Sequence, residues 1–333
     1  MITCPIDNQL IELLSFDGSL DVSNVHRVLG IREHTARYRL KRLIDRGILT
    51  YGPVLNPQRA GLDMVDVYFS LRAEVPDAAE CVQKALSRSA AVVLLEEVAG
   101  RFDFHVRLAA RGKAQALRTS QELGSSCGGV LLDKWIATPI SSSLFPFKVD
   151  GCVRQKPAAF EVDMGGECER VDDTDDRILN YFGSERCGSW RELARSLGLP
   201  SSTVTSRLHS LTERKILQKF VYTVDERALG RFPYRILLTT TRTDPAIIGA
   251  LRQFCASYPT SKSLDVTLGV WDFEVQIHCA DPREVSQFTR ALHQSLGTTI
   301  VRSEVLPVLR TIVQRAWPVK EDTAERNARA RAA

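Results

Sequence analysis

The sequence predicts an α+β fold in which a winged helix-turn-helix head, followed by a ferredoxin-like βαββαβ sensor domain, occurs twice. Motifs of the N-terminal half recur about 168 residues later in the same order, as Leu29-Gly30-Ile31 and Leu197-Gly198-Leu199 do. Within each half, a helical spacing of apolar residues gives way to the strict alternation of strands. We therefore interpret the chain as a tandem duplication of one module.

The predicted boundaries follow from these changes of period. They are 1–57 for the first head, 58–147 for the first sensor, 148–170 for a linker, 171–226 for the second head, 227–318 for the second sensor and 319–333 for a flexible tail. The linker contains proline, several glycines and mixed charges without a sustained period. The tail has few apolar residues.

Composition limits the class of protein without naming it. The formal charge of +4 is small for 333 residues, so it permits nucleic-acid binding without arguing for it. No apolar run is long enough to cross a bilayer, and the N-terminus does not resemble a signal peptide. The eight cysteines and six histidines are scattered, with no C-x-x-C pair. We therefore expect a cytoplasmic protein with reduced thiols and with no membrane partner, cofactor, metal site or catalytic residue. The alternative for the metal is a site assembled from residues that are distant in the sequence.

Each head shows two short helices joined by a tight glycine turn, at Gly30 and Gly198, and then a third helix. The second helices should start near Asp21 and at Ser189, where Ser189 to Glu192 has the spacing of a capping box. The β-prone segments 48–55 and 216–224 predict a wing or hairpin after each head.

A third helix of this type enters the major groove of double-stranded DNA. Residues 32–46 carry six basic and two acidic side chains, whereas residues 200–214 carry two basic residues, one acidic residue and many hydroxyls. The alternative is an ordinary solvated helix face. The candidate DNA contacts are Arg32, His34, Thr35, Arg37, Tyr38, Lys41, Arg42, Ser201, Ser202, Thr203, Thr205, Ser206 and Arg207.

The sensor segments predict a β-α-β-β-α-β order, which defines the ferredoxin-like fold. In the first sensor the elements are 65–71, 77–88, 91–99, 102–110, 113–123 and 130–138. In the second they are 234–241, 246–258, 263–268, 272–279, 282–296 and 299–312.

This ordered set of motifs resembles the Lrp/AsnC, or feast/famine, regulators, and the resemblance covers nearly the whole chain twice. It is carried by Asp7 and Asp175 in the first helices, the Leu-Gly turns, an Arg-x-x-x-Leu spacing in the third helices, and a Gly-x-aromatic-Asp turn in each sensor. Arg32 and Pro200 depart from the family, which usually has a serine that caps the third helix.

The resemblance implies a sequence-specific transcription regulator whose sensors oligomerise and bind a small effector, often an amino acid, near the sensor turns. The implied effector residues are Gly100, Arg101, Phe102, Asp103, Gly269, Val270, Trp271 and Asp272. The alternative is that the aromatic residues belong to a core or interface and that the aspartates form turns.

Two other functions are considered. Siroheme decarboxylases share this architecture, but they resemble one another in a His-Asn-Tyr-x-Arg stretch before the third strand. Residues 95–99 and 264–268 at that place contain neither His nor Arg, so we expect no enzyme. A sensor that binds its ligand without contacting DNA is the third interpretation.

Overall fold

The computed structural model describes residues 5–15, 22–72, 74–112, 114–116, 118, 119, 121, 130–148, 159–163, 167–184 and 190–319. The N-terminal half contains α1 Pro5–Leu14, α2 Val22–Leu29, α3 Glu33–Asp45, β1 Leu49–Leu55, β2 Asp63–Leu71, α4 Ala78–Arg88, β3 Val92–Val98, β4 Phe104–Ala110 and β5 Leu131–Leu144. After the short strand β6 Phe160–Asp163, the C-terminal half contains α5 Asp173–Ser184, α6 Trp190–Leu197, α7 Ser201–Glu213, β7 Leu217–Val224, β8 Phe232–Thr240, α8 Pro245–Ser257, β9 Ser261–Gly269, β10 Phe273–Cys279, α9 Pro282–Leu296 and β11 Ile300–Gln314.

The three helices of each head form as the sequence predicts. Gly30 and Gly198 have φ of +64° and +63°, a left-handed conformation that ends the second helix at little cost for glycine. The third helices begin at Glu33 and Ser201, and neither Arg32 nor Pro200 makes a side-chain capping bond. The predicted starts of the second helices at Asp21 and Ser189 lie outside the described residues.

The strands predicted to follow each head are present, but they pair with each other instead of forming a hairpin within one head. β1 and β7 run antiparallel, with Tyr51 opposite Tyr222 and Gly52 opposite Val221. The ring centroids of Tyr51 and Tyr222 lie 4.9 Å apart, so an aromatic contact accompanies the backbone hydrogen bonds. A two-stranded ribbon therefore connects the two heads.

Each sensor has the strand order of a ferredoxin-like sheet. The first sheet runs β3-β4-β2-β5 and the second runs β9-β10-β8-β11. Helix α4 packs one face of the first sheet, and α8 and α9 pack one face of the second, each through a buried apolar cluster. Of the predicted helix 113–123, the six residues that the structure describes, between 114 and 121, are helical.

The two sheets join at both edges. β5 pairs with β2 of its own sheet and then, over residues 137–144, with β9 of the other sheet. β11 likewise pairs with β8 and then with β3. The strands therefore close into a ring, β2-β4-β3-β11-β8-β10-β9-β5, and β6 adds to β5 outside it. This exchange explains why β5, which extends to Leu144, is longer than the predicted strand 130–138.

Each head also packs on the opposite half of the chain. The core of the first head contains Val224 of the second half, and the core of the second head contains Leu55 and Ala60 of the first half. The predicted linker includes the ordered strand β6, because residues 160–163 find a partner in β5. Residues 149–158 of the linker, and 320–333 of the predicted tail, lie outside the described residues.

The junction between the second head and the second sensor contains a buried carboxylate. Glu226 is only 4% exposed, and its Oε1 lies 3.2 Å from Lys262 Nζ and 3.3 Å from His278 Nδ1. At the corresponding places of the first sensor, Val93 and Ala109 form a small apolar cluster with Met64. The two halves therefore join their heads and sensors by different chemistry.

Candidate DNA interface, sensor turns and charged centre

The third helix of the first head, α3, presents a basic outer face. Its buried side, formed by Ala36, Leu40 and Leu43, packs on the head. Six of the seven candidate DNA-contacting side chains are exposed, while Thr35 is half-buried; the six are Arg32, His34, Arg37, Tyr38, Lys41 and Arg42. An open surface groove on this face is lined by Glu33, His34, Arg37, Tyr38 and Lys41.

Two exposed side chains of α3, Arg37 and Tyr38, are available for contact with DNA. Arg37 Nη2 lies 2.6 Å from Glu33 Oε1 one turn earlier, and both side chains are well exposed. Because an exposed pair of this kind is worth little, Arg37 could exchange Glu33 for a phosphate or a guanine edge at small cost. Tyr38 is 66% exposed, which is unusual for a tyrosine that only packs.

The third helix of the second head, α7, presents hydroxyls instead. Ser201, Ser202, Thr205 and Ser206 are exposed, and Thr203 is half-buried. The Thr205 hydroxyl donates a 3.0 Å hydrogen bond to the Ser201 carbonyl, so in the free protein it is turned to its own helix.

Arg207 is placed differently from the other candidates. Its Nη1 donates to Asp172 Oδ2 and lies 3.6 Å from Asp175 Oδ1, at the start of α5. In the first head, Arg39 donates to Asp7 Oδ1 at 2.8 Å in the corresponding place. An arginine-to-aspartate bond therefore fixes the third helix to the first in both heads, which gives Arg207 a structural contact.

The sensor turns pack against the opposite sensor. Gly100 lies against β11, since a Cβ on it would be 3.5 Å from Leu306 Cδ2. Gly269 lies against β5, since a Cβ would be 2.4 Å from the Ile136 carbonyl oxygen. Both turns therefore lie at the boundary between the two sensors.

The aspartates of the two turns bond to the backbone. Asp103 Oδ2 accepts a 2.7 Å hydrogen bond from the Leu71 amide, and Asp272 Oδ2 accepts one of 2.6 Å from the Thr240 amide. Phe102 and Trp271 are each 1% exposed. Of the eight predicted effector residues, four are exposed and are not held by a bond from the side chain to the backbone; they are Gly100, Arg101, Gly269 and Val270.

Arg101 belongs to a stacked group that spans the sensors. Its guanidinium carbon lies 4.1 Å from the ring centroid of Trp135, and that of Arg302, from the second sensor, lies 4.6 Å from the same centroid. Arg101 Nη2 is also 3.2 Å from Asp133 Oδ2. Cation–π contacts therefore hold two guanidiniums against one ring, and one of the two also pairs with a partly exposed carboxylate.

A network of charged side chains lies between the two sheets, and sequence reasoning did not find it. Arg107 donates to both oxygens of Asp66, at 2.7 and 2.9 Å, and also to Asp265 of the second sensor at 2.9 Å. Arg235 of the second sensor donates to Glu96 at 2.6 Å and to Glu274. An arginine of each sensor therefore bonds to a carboxylate of the other sensor.

His105 is the centre of this network. It is fully buried and stacks on Tyr68 with ring centroids 4.2 Å apart. Its Nε2 lies 3.0 Å from Asp66 Oδ1 and its Nδ1 lies 3.2 Å from Glu96 Oε2. Both ring nitrogens therefore face carboxylates.

Burial and neighbouring charges shift the pKa values in this centre in opposite directions. Burial alone would raise the pKa of Asp66 and Glu96, but Arg107 and Arg235 respectively, with His105, bring both well below the ordinary range. Burial raises the pKa of Glu274, and Arg235 offsets it only in part. The pKa of His105 is raised, since its carboxylate partners outweigh burial and Arg235, which both act to lower it.

The sequence signal for this centre was available. Asp66 and Glu274 each stand between apolar residues in strands that are otherwise buried, at Val65-Asp66-Val67 and Phe273-Glu274-Val275. Charged side chains at such positions are rare without partners. The partners could not be identified, because they lie on strands far apart in the chain.

Comparisons with known proteins agree with the head and sensor architecture. The model of the IclR helix-turn-helix domain matches residues 177–219, in the second head. The proline dehydrogenase transcriptional activator of Rhizobium radiobacter is 33% identical over 106 residues, which are 31% of this chain and 67% of that protein. The HTH-type transcriptional regulator FL11 of Pyrococcus horikoshii is 25% identical over 118 residues, which are 35% of this chain and 77% of that protein.

A solved structure matches the chain over its whole length. The crystal structure of the siroheme decarboxylase NirDL covers 98% of this chain and 100% of its own, with a TM-score of 0.62 and 14% sequence identity. At that identity the likeness concerns the fold alone.

The exposed third helices, the relatives and the helix-turn-helix match define a DNA-binding transcription regulator. Within that class, the motifs of heads and sensors agree with the relatives: the chain belongs to the Lrp/AsnC family. Among the described residues, no helix combines the length and the apolar character needed to span a membrane.

Proposed function

We propose that this chain reads an asymmetric DNA site, with two unlike third helices placed on two unlike half-sites. The observation that carries the proposal is the strand pairing between the halves, β5 with β9, β11 with β3, and β1 with β7. A homodimer reads a palindrome because the same helix enters both half-sites. A chain that pairs its own two halves presents α3 on one side and α7 on the other.

The two helices differ in the chemistry that they offer to DNA. At the equivalent positions Arg37 and Thr205, one helix offers a guanidinium and the other a hydroxyl. Arginine reads guanine by two parallel hydrogen bonds, whereas a hydroxyl contacts phosphates and several bases. The half-site of α3 should therefore be the more stringent of the two, and that of α7 the more tolerant.

Selection of binding sites from random DNA, followed by footprinting, tests this proposal. We expect two unlike half-sites about one helical turn apart, or a multiple of it. Arg37→Ala should relax base preference in one half-site, and its matched variant Thr205→Ala should affect only the other. A palindrome whose two halves respond equally to Arg37→Ala would contradict the proposal.

We also propose that the sensor pair binds a small effector with a carboxylate, such as an amino acid, beside the first turn. Arg101 and Arg302 come from different sensors and both stack on the ring of Trp135, so a carboxylate bound beside that ring would be attracted by positive charge from both sensors. Asp133, which is 45% exposed, would accept from an ammonium group. An effector at this place would act on the contact between the sensors that carry the heads.

Thermal shift with a panel of amino acids and other small carboxylates tests the effector site. A ligand that binds only the folded protein raises its melting temperature, and Arg101→Ala should remove that rise. Arg283→Ala is the control that should keep the rise, because Arg283 is an exposed arginine paired with Asp281. A rise that Arg101→Ala leaves unchanged would place the effector elsewhere.

Association between chains and a cytoplasmic location remain proposals. Among the described strands, the outer edges of each sensor sheet are already paired within the chain, so association would use another surface. Molecular mass over a dilution series tests it, and a constant monomer mass would refute it. We place the protein in the cytoplasm because the proposed binding to chromosomal DNA takes place there.

The second candidate function is tetrapyrrole decarboxylation, and the shared fold with NirDL over the full length is the observation that favours it. The segments that correspond to the expected His-Asn-Tyr-x-Arg stretch form β3 and β9, without His or Arg. We therefore propose regulation and not catalysis. An iron-tetrapyrrole absorption band in the purified protein, with turnover, would reverse this choice.

A further inference from the structure

The charged centre between the sensors contains more carboxylates than guanidiniums. Four carboxylates, those of Asp66, Glu96, Asp265 and Glu274, lie buried beside two guanidiniums, those of Arg107 and Arg235. Buried polar atoms of this kind need bonding partners, so an oxygen without one indicates a missing ligand.

Three side chains of the centre are placed as metal ligands would be. Asp66, His105 and Glu274 each offer one ligand atom, and these atoms all lie within 4.8 Å of one another. The second oxygen of Glu274, Oε2, is buried and accepts no hydrogen bond from the described part of the chain. A buried carboxylate oxygen without a donor is a separate indication that a partner is absent from the protein itself.

The surrounding contacts match those of protein metal centres. A metal-bound histidine usually donates its other ring N–H to a carboxylate, and His105 Nδ1 faces Glu96 Oε2 at 3.2 Å. The carboxylates of Asp66 and Glu274 are in turn held by Arg107 and Arg235. The three side chains are thus fixed in orientation by a second layer of bonds.

We propose that Asp66, His105 and Glu274 bind one divalent transition-metal ion, with zinc as the first choice. One imidazole and two carboxylates suit such ions. Asp66 and His105 belong to the first sensor and Glu274 to the second. The ion therefore joins the two sensors at the centre of the closed ring.

Metal content and binding to the full chain test this proposal. The protein is purified without chelators from medium supplemented with Zn²⁺, and separately stripped with a chelator and titrated with Zn²⁺ alone or Co²⁺ alone. We expect one ion per chain, a higher melting temperature in the loaded protein, and a Co²⁺ spectrum without the charge-transfer band of thiolate ligands.

Variants locate the ion. His105→Asn and Glu274→Gln should each abolish binding of the one ion per chain, and Glu96→Gln should weaken binding of the ion by about 10- to 100-fold. His278→Asn, a buried histidine that also faces a carboxylate, is the matched control that should keep full binding. Glu274→Gln is conservative in size, so a fold preserved by circular dichroism keeps its result interpretable.

A wild-type protein that holds no stoichiometric ion, either as purified or after titration, would overturn the proposal. The same applies if the ion is retained in both His105→Asn and Glu274→Gln.

Discussion

Replacing the buried carboxylate at the second head–sensor junction, Glu226→Gln, should destabilise the protein in a pH-dependent way. Burial acts to raise the pKa of Glu226, but Lys262, His278 and Arg231 lower it from 4.5 to about 2. A lowered pKa in the folded state means that folding favours the ionised form. The stabilisation is therefore complete above pH 4.5 and is lost as the pH falls towards 2.

The size of the effect follows from that shift. A difference of 2.5 units (4.5 less 2) corresponds to about 3 kcal/mol at neutral pH, of which about 2 kcal/mol is lost by pH ~3. No large discount for solvent screening applies, since Glu226 is 4% exposed.

Urea unfolding of wild type and variant, followed by tryptophan fluorescence at a series of pH values, measures this difference. Glu161→Gln is the control, because Glu161 pairs with Arg252 while 55% exposed and should cost less than about 1 kcal/mol. An equal loss for Glu226→Gln at pH 7 and pH 3, or a loss below about 1 kcal/mol at pH 7, would refute the reasoning.

Two further predictions concern the DNA interface and the sensor contact. Neutralising Arg37, Lys41 and Arg42 of α3 together should weaken DNA binding broadly. The slope of the logarithm of the binding constant against the logarithm of the salt concentration should flatten by up to about one unit for each phosphate that is no longer neutralised. Alanines at the α7 hydroxyls should leave this slope unchanged. An unchanged slope in the triple variant, from binding titrations at several salt concentrations, would count against this role for α3. Gly269→Ala should cost about 1–3 kcal/mol or more, because its Cβ would lie 2.4 Å from the Ile136 carbonyl oxygen. Gly249→Ala, on helix α8 with no atom within 4 Å, should be neutral or stabilising in the same thermal unfolding experiment, and equal effects of the two would contradict the assigned contact.

The sequence predicted what depends on neighbouring residues. The alternation of Val65, Val67 and Phe69 identified β2, and the glycines at positions 30 and 198 identified the helix turns, since both patterns are local. The order of elements in each sensor was predicted for the same reason. The predicted exposure of the α3 side chains also agrees with the structure, because a helix periodicity fixes which side is buried.

Pairing between distant segments could not be predicted in this way. The contacts of β1 with β7 and of β11 with β3 depend on how the halves dock, which no local period encodes. The charged centre was not predicted for the same reason, since Asp66, His105 and Glu274 come from three strands and two sensors. The expectation of no metal site rested on scattered histidines and cysteines, without regard to carboxylates inside strands, and it stays a prediction that the metal-binding experiment will test.

The closed ring of strands changes how occupancy of a DNA site depends on protein concentration. A regulator whose two sensors lie on separate chains must assemble before it can place two heads, so at low concentration occupancy falls with the square of the chain concentration. Here β5–β9 and β11–β3 join the sensors within one molecule, at an effective concentration set by the linker and not by expression level. Occupancy of a two-headed site would then rise in simple proportion to the number of chains in the cell, without a threshold imposed by pairing.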